Sequence, residues 1–273
     1  MTGILATAAL EFRISLRNRW VAIAVLMMVL FSAVLAWAGS AAVGEVGVDR
    51  LSVTVASLTS LAVYLVPLMA LLMAFDAVAG EVERGTLALV LTYPATRAEL
   101  LAGKFLAHLG TLALAVVVGY GVAGLAAVVV DGQAAAGLAA LWRLTWSSLL
   151  LGATFLGFGY AVSAWARRPG SAAGLVIGIW LLAIVLYDLG LLAAVVADGG
   201  GFFTRQIFPW MLLGNPADAF RVFNLAASEA TAAATGLSGA AASVTPLQAL
   251  ALMLLWPLAA FALAARALNR VVP

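Results

Sequence analysis

Six apolar runs, each close to the roughly 20 residues that a helix needs to cross a hydrocarbon core of about 30 Å, dominate this sequence. They lie near residues 20–40, 55–75, 105–130, 146–166, 171–197 and 247–266, each bounded by charge, Pro or Gly. Inside a bilayer no water satisfies backbone N–H and C=O groups, so every spanning segment must pair its own, which an α-helix does. The expected fold is therefore an all-α polytopic membrane protein with a single transmembrane domain over 1–273. Composition agrees: 65% of residues are hydrophobic and 10% charged, against about 45–50% and 25% in soluble domains. Soluble enzymes and secreted disulfide scaffolds are excluded. A net charge of +2 gives no reason to expect a nucleic-acid partner. With no cysteine and one histidine, His108, thiolate and multi-histidine metal sites are excluded as well. Ala36 and Ala38 form an A-x-A pattern, but the long lead and the five later spans favour an uncleaved first helix.

Six spans put both ends on one side. With the ends cytoplasmic, ten basic residues fall inside (Arg13, Arg17, Arg19, Arg84, Arg97, Lys104, Arg167, Arg168, Arg266, Arg270) and four outside (Arg50, Arg143, Arg205, Arg221). The positive-inside rule selects that orientation. Trp20 and Trp165 then sit at inner boundaries, and Trp37, Trp142 and Trp146 at outer ones. Residues 1–19 carry Ile4, Leu5, Ala8, Phe12 and Leu16 at helical spacing with arginines behind them. That pattern reads as a helix lying in the headgroup plane, or more plainly as a basic leader that fixes topology.

The segment 76–104 holds seven charges between spans two and three. Gly85 breaks its charged stretch, Thr86 opens a short helix over Leu87 to Leu91, and Tyr93-Pro94 ends that helix. Thr96 and Glu99 have capping-box spacing at the entry to span three. A short surface helix between two spans suits docking of a cytosolic partner; otherwise it is a solvated loop that enforces topology. No G-x-x-x-x-G-K-[ST] loop is present to cradle phosphates. Glu81 and Glu83 therefore read as docking charges rather than catalysts, and nucleotide must bind elsewhere.

Glu81, Glu83, Gly85, Thr86, Leu87, Pro94 and Arg97 together resemble the cytosolic coupling segment of the ABC-2 permease family. The basic leader, the six spans and the long outer loop extend the resemblance over nearly the whole chain. Phe75-Asp76, Gly80-Glu81, Tyr93-Pro94, Gly103-Lys104-Phe105 and Asn215 to Arg221 are similar to the branch that serves maturation of nitrous-oxide reductase. The resemblance implies a type V exporter-like permease that is not itself an enzyme. It implies a homodimer paired with two copies of a cytosolic ATPase, which binds the ATP and Mg, while this chain binds no cofactor directly. In that branch it further implies a periplasmic partner protein and assembly of a copper–sulfur centre. Coupling to the ATPase would fall to Glu81, Glu83, Arg84, Gly85, Thr86, Leu87, Pro94 and Arg97. An exporter of another small or lipophilic substrate is the alternative. An ion-coupled secondary transporter is a third class, needing no ATPase.

Gly170, Gly174 and Gly178 open span five as two consecutive GxxxG units, suited to a dimer contact or to close packing within one subunit. Asp188 lies in the outer half of that span or at its outer edge, and a membrane carboxylate there would mark a pathway. Met69, Met73 and Asp76 share one face of span two; soft thioethers suit a Cu(I) path, though methionine equally fills gaps in a core. His108 reads as hydrogen-bonded to a neighbouring helix or to the coupling segment rather than as a ligand. In the outer loop, 198–246, the aromatic-rich stretch around Pro209 should pack on the spans. Asn215 should cap a helix with Pro216 at its first position and Asp218 in its first turn. That helix would present Phe220, Arg221, Phe223 and Asn224 to a periplasmic partner, or form a lid over the dimer's outer mouth. The Ala/Gly/Ser/Thr-rich tract from Ala230 to Thr245 reads as a flexible connector.

Overall fold

In a computed structural model of the chain, residues 2–17, 19–42, 50–90, 92, 96–130, 135–166, 168–225 and 244–271 are described, and their regular structure is entirely helical. The elements are α1 (Thr2–Leu16), α2 (Arg19–Ala42), α3 (Arg50–Ala74), α4 (Ala79–Glu83), α5 (Thr86–Val90), α6 (Arg97–Val130) and α7 (Ala135–Ala166). Next come α8 (Pro169–Trp180), a π-helical turn (Leu181–Leu186), α9 (Tyr187–Asp198), a second π-helical turn (Phe203–Ile207), α10 (Phe208–Gly214), α11 (Pro216–Leu225) and α12 (Pro246–Asn269). Most of the Ala230–Thr245 tract, and Pro94 with its neighbours, lie outside the described residues.

Five helical stretches are long and apolar enough to cross a membrane: Leu51–Glu83, Arg97–Ala126, Gly137–Ala166, Pro169–Asp198 and Pro246–Asn269. Helices α1 and α2 meet at a bend of 72° and make a sixth crossing if that pair is one span. Helix α7 is the hub, packed between α3 and α12, while α6 carries α1 and α2 on its far side. Tyr120, Phe155, Leu144 and Leu112 are fully buried at the centre of this bundle. The stretch α8–α9 is the outlier, touching α7 and α3 along a narrow strip. It leaves Leu181, Leu182, Leu189, Leu192 and Val196 exposed, a face that only lipid or another protein can cover.

Small residues set how closely the hub packs. A Cβ added at Gly157 would lie 2.7 Å from Ala260 of α12, and one at Gly159 would lie 2.6 Å from Ala74 of α3. Bare backbone on α7 thus lets both neighbours approach, as membrane helices require when no hydrophobic drive holds them together. Gly121, on the outer face of α6, meets nothing within 4 Å. Gly159→Ala should therefore destabilise the detergent-solubilised protein by about 1–3 kcal/mol through overpacking. Gly121→Ala should be neutral or stabilise by up to about 1 kcal/mol through helix propensity. Thermal unfolding midpoints compare the two, and equal responses would show that α3–α7 contact does not depend on the glycine.

Candidate functional site

The chain leaves α3 at Ala74, turns through Phe75–Val78, and enters an elbow formed by α4 and α5. The first N–H groups of α4 have no partner in their own helix. Val78 N and Ala79 N both donate to Ser163 Oγ of α7, at 3.0 and 2.9 Å. A Cβ at Gly80 would collide with the Asp76 carboxylate and would lie 2.7 Å from the Arg84 guanidinium. Asp76 and Arg84 themselves make an exposed 3.5 Å pair, which in water contributes little. Gly85 ends α4 at φ +68°, a conformation that favours glycine. The Thr86 hydroxyl donates to Glu81 O at 3.3 Å, and Leu87 is buried beneath α5. Glu83, Arg84, Gly85 and Leu89 are left exposed at the tip.

Glu81 points the other way, into the protein. Lys104 Nζ of α6 donates to Glu81 Oε1 at 2.7 Å and to Glu11 Oε1 of α1. The lysine side chain is 6% exposed, and the two carboxylates 14% and 19%. The chain's only lysine thus joins α1, α4 and α6 at one point. Glu81 Oε2 is buried without a hydrogen-bond partner. One turn further along α6, His108 Nδ1 lies 2.6 Å from Tyr160 Oη of α7, the neighbouring-helix contact anticipated for it. Arg97 is also turned inward: its Nη1 donates to Leu268 O and Val271 O at 2.8 and 2.7 Å, holding the C-terminal end of α12. The capping box forms as its spacing implies, Thr96 N donating to Glu99 Oε2 at 2.9 Å and Glu99 N to Thr96 Oγ1 at 3.2 Å.

A second charged cluster lies toward the other end of the bundle. Asn215 Oδ1 accepts from Ala217 N at 2.8 Å, so α11 starts at Pro216 under the cap that the sequence indicates. The same side chain donates to Ala183 O at 2.6 Å, fastening α11 to the first π-helical turn. Arg221 Nη1 reaches Asp218 Oδ1 at 2.8 Å and its Nη2 reaches Asp188 Oδ2 at 3.0 Å. Asp188 is therefore inside the helix α9 and ion-paired. The sequence turns Phe220, Phe223 and Asn224 outward toward a partner, and here the structure corrects it: all three are buried. Helix α11 inserts against α12, α3 and α7, where Phe223 meets Trp146 edge to face and Asn224 Nδ2 donates to Ser147 Oγ at 3.0 Å. Met69 and Met73 pack in and against the hydrophobic core of the bundle, in the gap-filling manner. Gly170, Gly174 and Gly178 face open space, with no atom within 4 Å of an added Cβ.

A family model described as "ABC-2 family transporter protein" matches residues 5–271. The chain belongs to the ABC-2 transporter family. It is 47% identical over 269 residues, 97% of each chain, to a Pseudomonas aeruginosa protein named "Probable ABC transporter permease protein NosY". It is 42% identical over 240 residues, covering 87% of this chain and 86% of the relative, to a Stutzerimonas stutzeri protein of the same name. In this ABC-2 permease, two structural features of the elbow escape a reading of the sequence: Ser163, which caps α4 from a distant helix, and the ion triad around Lys104. Ser163 carries no local signal. Lys104 carries one, as a lone lysine among arginines, and Glu11 another, as the one acid in a basic leader.

Asp218 is 1% exposed and its Oδ2 has no partner. Burial pushes its carboxyl up to about 7 from the ordinary 3.8; Arg221 opposes that shift and Asp188 adds to it. The folded protein therefore favours the protonated acid. The resulting stabilisation is complete below the ordinary value and is lost as pH rises through about 7. Thermal midpoints in detergent should fall as pH rises from about 4 to about 7, and Asp218→Asn should flatten that slope. A slope unchanged in the variant would place the titrating group elsewhere.

Proposed function

We propose that this ABC-2 permease subunit works as a homodimer driven by two copies of a separate cytosolic ATPase, which binds the ATP and Mg, and that the α4–α5 elbow receives the force. The observation that carries the reading is the elbow's two-sided construction. Its tip offers Glu83, Arg84 and Gly85 to solvent, while its base is held by Ser163 and Lys104 to α7, α6 and α1. A push on the tip is delivered to three helices rather than absorbed by a loop. Thr86 and Leu87 support the elbow from within, and Arg97 ties the start of α6 to the end of α12. The elbow end is cytoplasmic in this reading, with α1 in the inner headgroup plane, both ends of the chain inside, and α10–α11 on the periplasmic side.

The role follows from the resemblance in Phe75 to Phe105 and Asn215 to Arg221: assembly of the copper–sulfur centre of nitrous-oxide reductase, with a periplasmic partner protein. The output is mechanical relay or transport of a small species. Relay is favoured because Asp188, Asp218 and Arg221 are spent on one another in an internal cluster. An exporter of another small or lipophilic substrate would share the elbow, and it would leave the copper-centre spectrum of nitrous-oxide reductase normal when this gene is deleted.

The dimer contact is assigned to Gly170, Gly174 and Gly178, whose open face has nothing of its own chain against it. Glu83→Arg combined with Gly85→Pro should lower ATPase activity of the reconstituted complex to that of the isolated ATPase, with insertion unchanged. Normal stimulation would remove the elbow from the coupling role. Gly174→Leu should weaken dimers in detergent about tenfold, the equivalent of one small-residue helix contact, with the monomer's thermal midpoint unmoved. Native electrophoresis showing an unchanged oligomer would move the interface off α8.

A further inference from the structure

We infer that the groove between the last turns of α7 and α12 seats one anionic phospholipid. The groove encloses about 550 Å³. Its walls include Ala161 and Ala164 of α7 and Leu263 of α12, and Trp165, Arg266 and Arg270 stand around it. Arg266 and Arg270 are one helical turn apart, both exposed, and neither makes an ion pair among the described residues. The backbone that carries them is fixed, because Arg97 holds Leu268 O and Val271 O. Trp165, at the end of α7, is 73% exposed.

The occupant follows from what meets at this place. Small and aliphatic side chains (Ala161, Val162, Ala164, Leu263 and Ala267) make a trough for an acyl chain. An indole at the helix end suits the interfacial level of a bilayer. Two guanidiniums beside it supply the fork geometry that grips phosphate oxygens. A zwitterionic lipid brings no net charge to match two cations, and a free phosphate leaves the trough empty. Basic pockets between membrane helices are suited to acidic headgroups on the same grounds. The seat requires only a bilayer around the bundle, and so stands apart from the ATPase-coupling reading.

The test uses the full-length detergent-solubilised protein, equilibrated with an equal mixture of dioleoyl phosphatidylglycerol and dioleoyl phosphatidylcholine and examined by native mass spectrometry. Wild type should retain one phosphatidylglycerol in preference. Arg266→Gln with Arg270→Gln should lower that retention about tenfold, whereas Arg13→Gln with Arg17→Gln removes the same charge from exposed positions on and just after α1 and should not. Leu263→Trp, which fills the trough and keeps both arginines, should also lose the lipid. Glycerol phosphate in excess should fail to displace it. Equal loss in the two double variants, retention by Leu263→Trp, or displacement by glycerol phosphate would each overturn the assignment.

Discussion

A buried ammonium in a chain that is 65% hydrophobic is tolerable only with partners around it, and the elbow end of this protein is organised by that requirement at Lys104. Its two carboxylates come from α1 and α4, neither of which is long enough to hold itself in place. A five-residue helix such as α4 has almost no stability alone. It exists because Ser163 satisfies its first N–H groups, Gly80 lets Asp76 and Arg84 close over it, and Glu81 is drawn inward to the lysine. The ion triad thus fixes in place a segment that would otherwise be a polar loop.

The other end repeats the device with different residues. Arg221 sits between Asp188 and Asp218, again one cation with two carboxylates, and again the pair fastens a short helix to a long one. Each cation meets one oxygen from each of two acids, Arg221 through two nitrogens of its planar fork and Lys104 through one compact ammonium. In both clusters one carboxylate oxygen lacks a partner, Oε2 of Glu81 and Oδ2 of Asp218. At Asp218, burial favours the protonated form of that carboxyl.

What could be read from the sequence follows from which signals are local. The Asn215 cap, the Thr96–Glu99 capping box and the break at Gly85 are each set by a few adjacent residues, and each forms. The facing of α11 is not local. Helical spacing groups Phe220, Phe223 and Asn224 on one side, but an apolar helix beside a membrane has two apolar environments to choose from, and the bundle took it. Glu81 and Arg97 were equally open to either side; a charge in a coupling loop reads as solvated until Lys104 and the carbonyls at the end of α12 are seen beside them. Ser163, 85 residues from Val78, has no signature at all.

The two clusters are connected by α7. Ser163 near one end holds the elbow, and Ser147, about 24 Å away at 1.5 Å per residue, meets Asn224 of α11. From α11 the contacts pass through Asn215 to the π-helical turn and through Arg221 to α9. The chain's most tightly packed helix is thus tied by polar contacts to α8–α9, its most loosely packed span. A π-helical turn shifts the hydrogen-bond register within a helix. The one at Leu181–Leu186 lies where the exposed face of α8 gives way to α9. A displacement entering at a rigid hub and leaving through a span held by few contacts moves the span rather than the hub, because the element with least buried surface costs least to shift.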